Sequence, residues 1–351
     1  MPGGLAVSAR RIASHFATSY SVTVVTPSEL VPALSYRASE LGGIRVVEIG
    51  KSADTSLFLQ CIADVIEKLG KSMANPKYMA FYCNALAYAT TLAAQRKGAS
   101  PLLFARGNDI DLEVFGESAF FTHYALSHAH TVFCVSSEIQ SKVKAFCHTP
   151  TRYIPNGANV DAFKFQEGYQ PKPRPSIGLF GDIKQKKGLD TLLAAIDFNR
   201  FSLRIVGELR EDSRKLLHGF FGLHPQAHVE HVAYVQGCDD LITQYREVDI
   251  VCIPSRHEGM SNVMLEAMSL GKLCVCSSVG GALDVVQDGT NGFLFDPGSS
   301  ESLELALERA ANCLTVDHES IRQQASSTVR NGFSLELERQ RYLQALLEIC
   351  P

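Results

Sequence analysis

Along the 351-residue chain, short apolar runs alternate with stretches in which apolar residues recur at helical spacing. That rhythm predicts parallel sheets covered by helices, because a strand buried on both faces loses its polar alternation while a covering helix keeps a polar side. In the first half, residues 21–26, 44–49, 102–105, 131–135 and 152–154 read as strands, residues 8–16 as a helix, and residues 55–97 as a long helical region. Ser137-Glu138-Ile139-Gln140 has the spacing of a capping box and predicts a helix start at Ser137. Pro155-Asn156-Gly157 predicts a turn, its Asn-Gly pair tolerating positive φ. Residues 167–175 hold three prolines without apolar periodicity and read as a linker.

Beyond that linker the alternation restarts. Strands are expected at 176–180, 202–206, 229–234, 249–253 and 273–277, and helices at 189–195, 210–219, 238–246, 262–270 and 301–314. An amphipathic segment at 334–349 closes the chain. The length suits two domains, each with its own core. The simplest architecture is α/β: two doubly wound domains facing across a cleft, with ligands at the carboxyl ends of the strands. The expected division is 1–165, 166–330 and a terminal helix at 331–351 that packs back on the first domain.

Composition narrows the function class. Hydrophobic residues make up 46% and charged residues 20%, as in ordinary soluble proteins. No apolar run approaches the ~20 residues of a bilayer-spanning helix. Met-Pro-Gly-Gly-Leu-Ala lacks the basic-then-apolar order of a secretory signal, so a cytoplasmic location is expected. The ten cysteines form no Cys-x-x-Cys pair and read as reduced, mostly buried thiols. A net charge of −4 argues against nucleic acid as a partner. Residues 1–165 carry 15 basic against 12 acidic side chains, and residues 166–351 carry 18 against 25. The slight basic excess of the first half is a weak basis for contact with an anionic surface; solvated faces are the simpler reading.

The richest chemistry lies in Pro254-Ser255-Arg256-His257-Glu258-Gly259-Met260-Ser261-Asn262-Val263-Met264-Leu265-Glu266. It reads as the end of a buried strand, a loop carrying Glu258, and a helix opening near Ser261–Asn262. A helix start offers unpaired N–H groups and partial positive charge to a phosphate or a sugar hydroxyl. Glu258 stands before that start and Glu266 about one and a half turns inside, so two carboxylates can grip different parts of one ligand. The plain alternative for either glutamate is dipole compensation in a first turn.

Taken whole, this stretch resembles the Glu-x7-Glu signature of retaining glycosyltransferases with the two-Rossmann-domain (GT-B) fold, and of glycosyltransferase family 4 in particular. The agreement extends to Gly271, Val279-Gly280-Gly281 and Asp288-Gly289-Thr290-Asn291-Gly292. Pro155-Asn156-Gly157 is similar to that family's interdomain segment, and Lys187-Gly188-Leu189 to its Lys-Gly helix opening. The resemblance implies a donor that is a nucleotide-diphosphate sugar, UDP or GDP by preference. Glu266 would bind its ribose hydroxyls, Glu258 the transferred sugar, and the backbone of Gly259, Met260, Ser261, Asn262 and Val263 its sugar and phosphate oxygens. Lys187 would neutralise the diphosphate. Charge building on a leaving diphosphate must be met by cations and dipoles, and the resemblance invokes no metal or other cofactor for it. The resemblance further implies retention at the anomeric carbon, by front-side displacement with the leaving phosphate as base or by a covalent intermediate on Glu258.

Three positions depart from the family pattern. Only Met1 and Pro2 precede Gly3-Gly4, the pair that resembles the diphosphate-contacting glycines, so the family's usual first strand is expected either upstream of Met1 or to be missing from a rearranged first domain. Arg106-Gly107-Asn108-Asp109 stands where many members have His-Gly-x-Asp. There Arg106 is expected on the donor, and Asn108 and Asp109 on the acceptor, with an Arg–Asp turn pair as the other reading. Gly181-Asp182-Ile183 replaces Gly-Arg-Leu, which leaves Lys184 beside Gly181 as a substitute phosphate ligand. Base choice is expected near residues 234–236. The overall expectation is a metal-independent hexosyltransferase acting on a glycan or lipid-linked acceptor, cytoplasmic and in peripheral contact with the inner face of a membrane. The rivals are a non-catalytic sugar-nucleotide or glycan binder and a sugar phosphorylase on the same fold.

Overall fold

A computed structural model describes residues 4–233, 235 and 237–349. Gly3, Tyr234 and Gln236, singled out above, lie outside the described residues. The chain divides into two compact units, residues 1–154 with 339–351, and residues 155–338. The division falls at 154/155 instead of 165/166. The expected linker is packed into the second unit: Tyr169 is buried and donates its hydroxyl to Asp249, which also accepts the Lys172 amide.

The first unit opens with α1 (Gly4–Ala17), and among the described residues no strand precedes it. Next come β1 (Thr23–Ala33), β2 (Tyr36–Leu41), β3 (Ile44–Gly50) and α2 (Thr55–Lys71). β4 (Met79–Phe81), α3 (Ala85–Gln95), β5 (Leu102–Ala105), the short α4 (Asn108–Asp111) and α5 (Ala119–His128) follow. β6 (Thr131–Cys134), α6 (Ser137–Phe146) and β7 (Thr151–Tyr153) complete it.

These strands form two sheets: one in the order β1-β3-β2 and a parallel one in the order β4-β5-β6-β7. The first is mixed, because β2 runs antiparallel to β3. Gly42 (φ 58°) and Gly43 (φ 76°) make the tight turn between them, a two-residue hairpin that needs positive φ at both central positions. β2 is exposed throughout, so no apolar run marks it in the sequence. The long helical region expected at 55–97 is two helices around β4. Asn75 (φ 55°) and Pro76 break it, and Asn84 accepts the Leu86 amide to start α3. The start of α6 moves by one residue: Ser136, not Ser137, is the N-cap, accepting from the Ile139 amide. Phe104 on β5 packs with Phe16, Phe133 and Tyr342, which ties α1 and the returning C-terminal residues to the parallel sheet.

The second unit holds β8 (Ser176–Phe180), α7 (Leu189–Ala195), β9 (Ser202–Val206), α8 (Glu211–Leu223) and β10 (Val229–Val232). It continues through α9 (Cys238–Arg246), β11 (Ile250–Ile253), α10 (Asn262–Ser269), β12 (Leu273–Ser277), α11 (Ala282–Val285) and β13 (Phe293–Phe295). α12 (Ser300–Val316) and α13 (His318–Gly332) follow, and α14 (Leu335–Ile349) carries the chain back to the first unit at Arg339. Its single sheet has the order β10-β9-β8-β11-β12-β13, parallel throughout. β8, β11 and β12 are buried along their length, which accounts for their unbroken apolar runs. The chain winds outward from β8 to β10, then returns to β11 on the other side of β8. The switch point therefore lies between β8 and β11, where the loops after the two strands part and leave room for a ligand.

Candidate active site

Two loops meet at that switch point. After β8 the chain makes a single tight turn, Gln185–Lys187; after β11 it runs through Pro254–Ser261 into α10. The Arg256 amide donates to the Lys186 carbonyl at 2.9 Å and fastens one loop to the other. Lys187 Nζ lies 2.5 Å from Glu258 Oε2, and the Ser255 hydroxyl donates to the same oxygen at 3.3 Å. Both charged side chains are about four-fifths buried, with 18% and 19% of their surface exposed. Burial alone would raise the Glu258 carboxyl; the Lys187 ammonium, helped by Lys186 and the two hydrogen bonds, outweighs it and holds the group below the usual carboxylate range. Glu258 is thus an ionised carboxylate, and the ammonium beside it has further N–H donors for a ligand.

The turn beyond Glu258 is built for close approach. Gly280 (φ 53°) passes so near that a Cβ there would sit 1.8 Å from the Glu258 carbonyl oxygen, and the Gly281 amide donates to the Gly259 carbonyl. Asn156, buried, donates its amide to the Met260 carbonyl and to Asn262 Oδ1, each at 3.0 Å. Pro155-Asn156-Gly157 therefore braces the Glu258 loop within the second unit. The Ser261 hydroxyl accepts from the Met264 amide and caps α10, so its side chain is engaged as a cap. Met260 is buried, while Asn262, Val263 and Glu266 are partly exposed. Glu266 Oε2 accepts from the hydroxyl of Tyr245, a fully buried residue of α9.

At the mouth of β8, Asp182 forms a two-pronged pair with Arg210 at 2.7 and 3.0 Å and also holds Lys184 at 3.0 Å. Gly181 (φ 114°) sits just before this cluster. Sequence reasoning placed Lys184 there; Arg210 was missed, since it arrives from the far side of β9. Tyr245 and Ser255 were missed as well, and the sequence presents Asn156 only as part of a turn and an interdomain segment. Their signals were ordinary polar residues in apolar context, given meaning only by their partners.

In the first unit, the structure corrects one assignment. Asp109, expected to face an acceptor, is fully buried: its carboxylate accepts the backbone amides of Cys83, Arg106 and Gly107 at 2.8–3.1 Å. Burial pushes its carboxyl up against the pull of those amides. The side chain organises the turn after β5 and has no surface for a substrate. Arg106 lies over the Phe81 ring at 4.9 Å, and Asn108, partly exposed, opens α4. Tyr82 (φ 92°) at the end of β4 hydrogen-bonds Glu113, a second polar pair that the sequence did not announce. Gly4 is the first residue of α1.

Comparison with known proteins bears on both units. Residues 174–312, within the second unit, match the family described as Glycosyl transferases group 1. An uncharacterized glycosyltransferase of Methanocaldococcus jannaschii is 26% identical over 186 residues, 53% of this chain and 50% of that protein. The chain spans about half the length of the curated relatives it matches. Sucrose-phosphate synthase from Thermosynechococcus elongatus superposes with a TM-score of 0.81 at 18% identity, covering 99% of this chain and 94% of that one. Anabaena HepE in complex with UDP-glucose superposes with a TM-score of 0.75 at 18% identity, covering 99% and 97%. These likenesses establish the fold: two Rossmann-like α/β units of the GT-B type. No helix among the described residues is long and apolar enough to cross a membrane.

Proposed function

We propose that this protein is a retaining, metal-independent glycosyltransferase that moves a sugar from a nucleoside-diphosphate donor to a glycan or lipid-linked acceptor. The observation that carries the reading is the Lys187–Glu258 pair at the β8/β11 switch point, set before the N-terminus of α10 with Glu266 on the same helix. In this reading Glu266 takes the ribose hydroxyls. The amides from Gly259 to Val263 take sugar and phosphate oxygens, and Lys187, with Lys184 and Gly181 nearby, meets the diphosphate. Glu258 faces the transferred sugar as a carboxylate. Arg106 contacts the donor's sugar or phosphate, Asn108 the acceptor, and Gly3 and Gly4 the diphosphate. The protein acts in the cytoplasm, in peripheral contact with a membrane where its acceptor is lipid-linked.

The reaction proposed is a front-side displacement. The bond from the anomeric carbon to the diphosphate oxygen breaks as the acceptor oxygen forms its bond on the same face. The acceptor's proton passes to the departing phosphate oxygen. Lys187 lowers the barrier by meeting charge as it develops on the leaving group, held in place beforehand by Glu258.

The test is thermal stabilisation by UDP, GDP, ADP and CMP in the presence of a chelator, for wild type and Lys187→Ala. A ligand at about 100 times its dissociation constant stabilises the fold by about 2.7 kcal/mol. One nucleoside diphosphate should stabilise wild type and lose that effect in the variant; no stabilisation by any of them would sink the reading. Product configuration, read by NMR of the anomeric proton, then tests retention.

A further inference from the structure

The carboxylate assigned to the ribose does not stand alone. Tyr245 donates its hydroxyl to Glu266 Oε2 at 2.9 Å. Its ring stacks on Phe180 at 4.3 Å with the planes 24° apart, and meets the edge of Phe163 at 6.2 Å. Phe180 is the last residue of β8, so the stack anchors Tyr245 to the strand whose end forms the switch point. Tyr245 has no exposed surface.

Packing alone does not call for a tyrosine here. A phenylalanine would keep the stack on Phe180 and the contact with Phe163, and it would bring no hydroxyl to satisfy. Burying a hydroxyl is costly unless it finds a partner. Here the partner is the functional carboxylate itself. Burial, with the neighbouring Glu266 charge, pushes the phenol well above its ordinary value, so it stays protonated and acts as a donor near neutral pH. A rigid donor on one oxygen restrains where a carboxylate sits and so narrows the directions in which it can accept further hydrogen bonds.

We infer that Tyr245 is a positioning residue for Glu266: it orients the carboxylate toward the vicinal hydroxyls of a nucleoside ribose. This rests on the assignment of Glu266 to the ribose in the proposed function. The distance, the burial and the aromatic anchor make it specific. Phe180 and Tyr245 link the end of β8 to α10, two elements that also carry the diphosphate side of the site.

The experiment compares binding of the nucleoside diphosphate that stabilises wild type with binding of its 2′,3′-dideoxy analogue, by calorimetry, in wild type, Tyr245→Phe, Glu266→Gln and the double variant. Wild type should prefer the ribonucleotide. Tyr245→Phe should weaken ribonucleotide binding about tenfold, the worth of one hydrogen bond to a charged group, and leave dideoxy binding unchanged. The donor KM should rise in step while kcat stays within about twofold. Unchanged dideoxy affinity also shows that the variant is folded. Glu266→Gln should lose the ribose preference, and the double variant should be no worse than Glu266→Gln alone. If Glu266→Gln loses the preference and Tyr245→Phe keeps it, Tyr245 has no positioning role and the inference falls while the site assignment stands. Equal weakening of both ligands by Tyr245→Phe would mark a merely structural phenol and overturn the inference. If Glu266→Gln leaves ribose preference intact, the assignment of Glu266 fails and the inference fails with it.

Discussion

The two units spend their strand-end carboxylates differently. In the second, Glu258 follows β11 and is paired with Lys187, partly exposed and ionised, with its loop held by other residues: Gly280, Gly281 and Asn156. In the first, Asp109 follows β5 and is itself the brace, consumed by three backbone amides with no surface left. A carboxylate can bind a ligand only where something else holds the loop. The sheets differ in the same sense. The second unit's six strands make one parallel sheet with a switch point, whereas the first unit's strands fall into two sheets, one carrying an exposed antiparallel strand.

This contrast can be broken by substitution. The largest effect is expected at Asp109→Ala, which strands three backbone amides, two of them buried and one partly buried. It should cost about 3–5 kcal/mol of stability, since each buried group left unpaired costs about 1–3 kcal/mol. Chemical denaturation with probes in each unit would show the loss in the first. A small loss would mean that the turn after β5 stands without its carboxylate. Lys187→Ala should do the reverse. It should weaken nucleoside-diphosphate binding about 10- to 100-fold, as expected for a charge-assisted contact, and cost about 1–3 kcal/mol of stability, because the largely buried Glu258 carboxylate loses its partner but keeps the Ser255 hydroxyl. A stability loss like that of Asp109→Ala would show that the pair braces the loop after all.

A third prediction concerns pH. Lys272, 1% exposed, donates to the Val248 carbonyl; burial brings its pKa down from 10.5 to about 7, against the opposing pull of Asp249. Between about pH 7 and 10.5 the unfolded chain then binds more protons at this site than the folded one. From this group, stability therefore rises with pH across that window and levels off below it, with a slope approaching about 1.4 kcal/mol per pH unit at most. Lys272→Met should flatten the rise between pH 7 and 9 in denaturation curves; an unaltered slope would locate its source elsewhere. The smallest effect separates two neighbouring serines. Ser136→Ala should cost about 1 kcal/mol as loss of the N-cap of α6, whereas Ser137→Ala should fall within about 0.5 kcal/mol of wild type. The opposite ranking would restore the capping box at Ser137.

Much of the second unit was legible in the sequence for a simple reason. Its central strands are buried on both faces, so each appears as an uninterrupted apolar run such as Ile250–Ile253. The Glu258–Glu266 spacing placed both carboxylates around one helix start, and the structure keeps them there. The first unit was read less well. β2 is wholly exposed and has no apolar signature, although the Gly42-Gly43 pair was a readable hairpin signal. β4 is three residues long and vanished into helical periodicity on either side.

By itself, then, the sequence determined the alternation of strand and helix, the burial of the central strands, and the presence of two carboxylates and a lysine around strand-end loops. These are local properties, set by spacing and by the chemistry of neighbouring residues. Only the tertiary structure decided what each charge touches. It paired Lys187 with Glu258 across 71 positions of sequence, brought Arg210 to Asp182, and set Tyr245 under Glu266. It also turned Asp109 inward. A carboxylate's role depends on which donors reach it and whether water does, and both are fixed by how distant strands order themselves in a sheet.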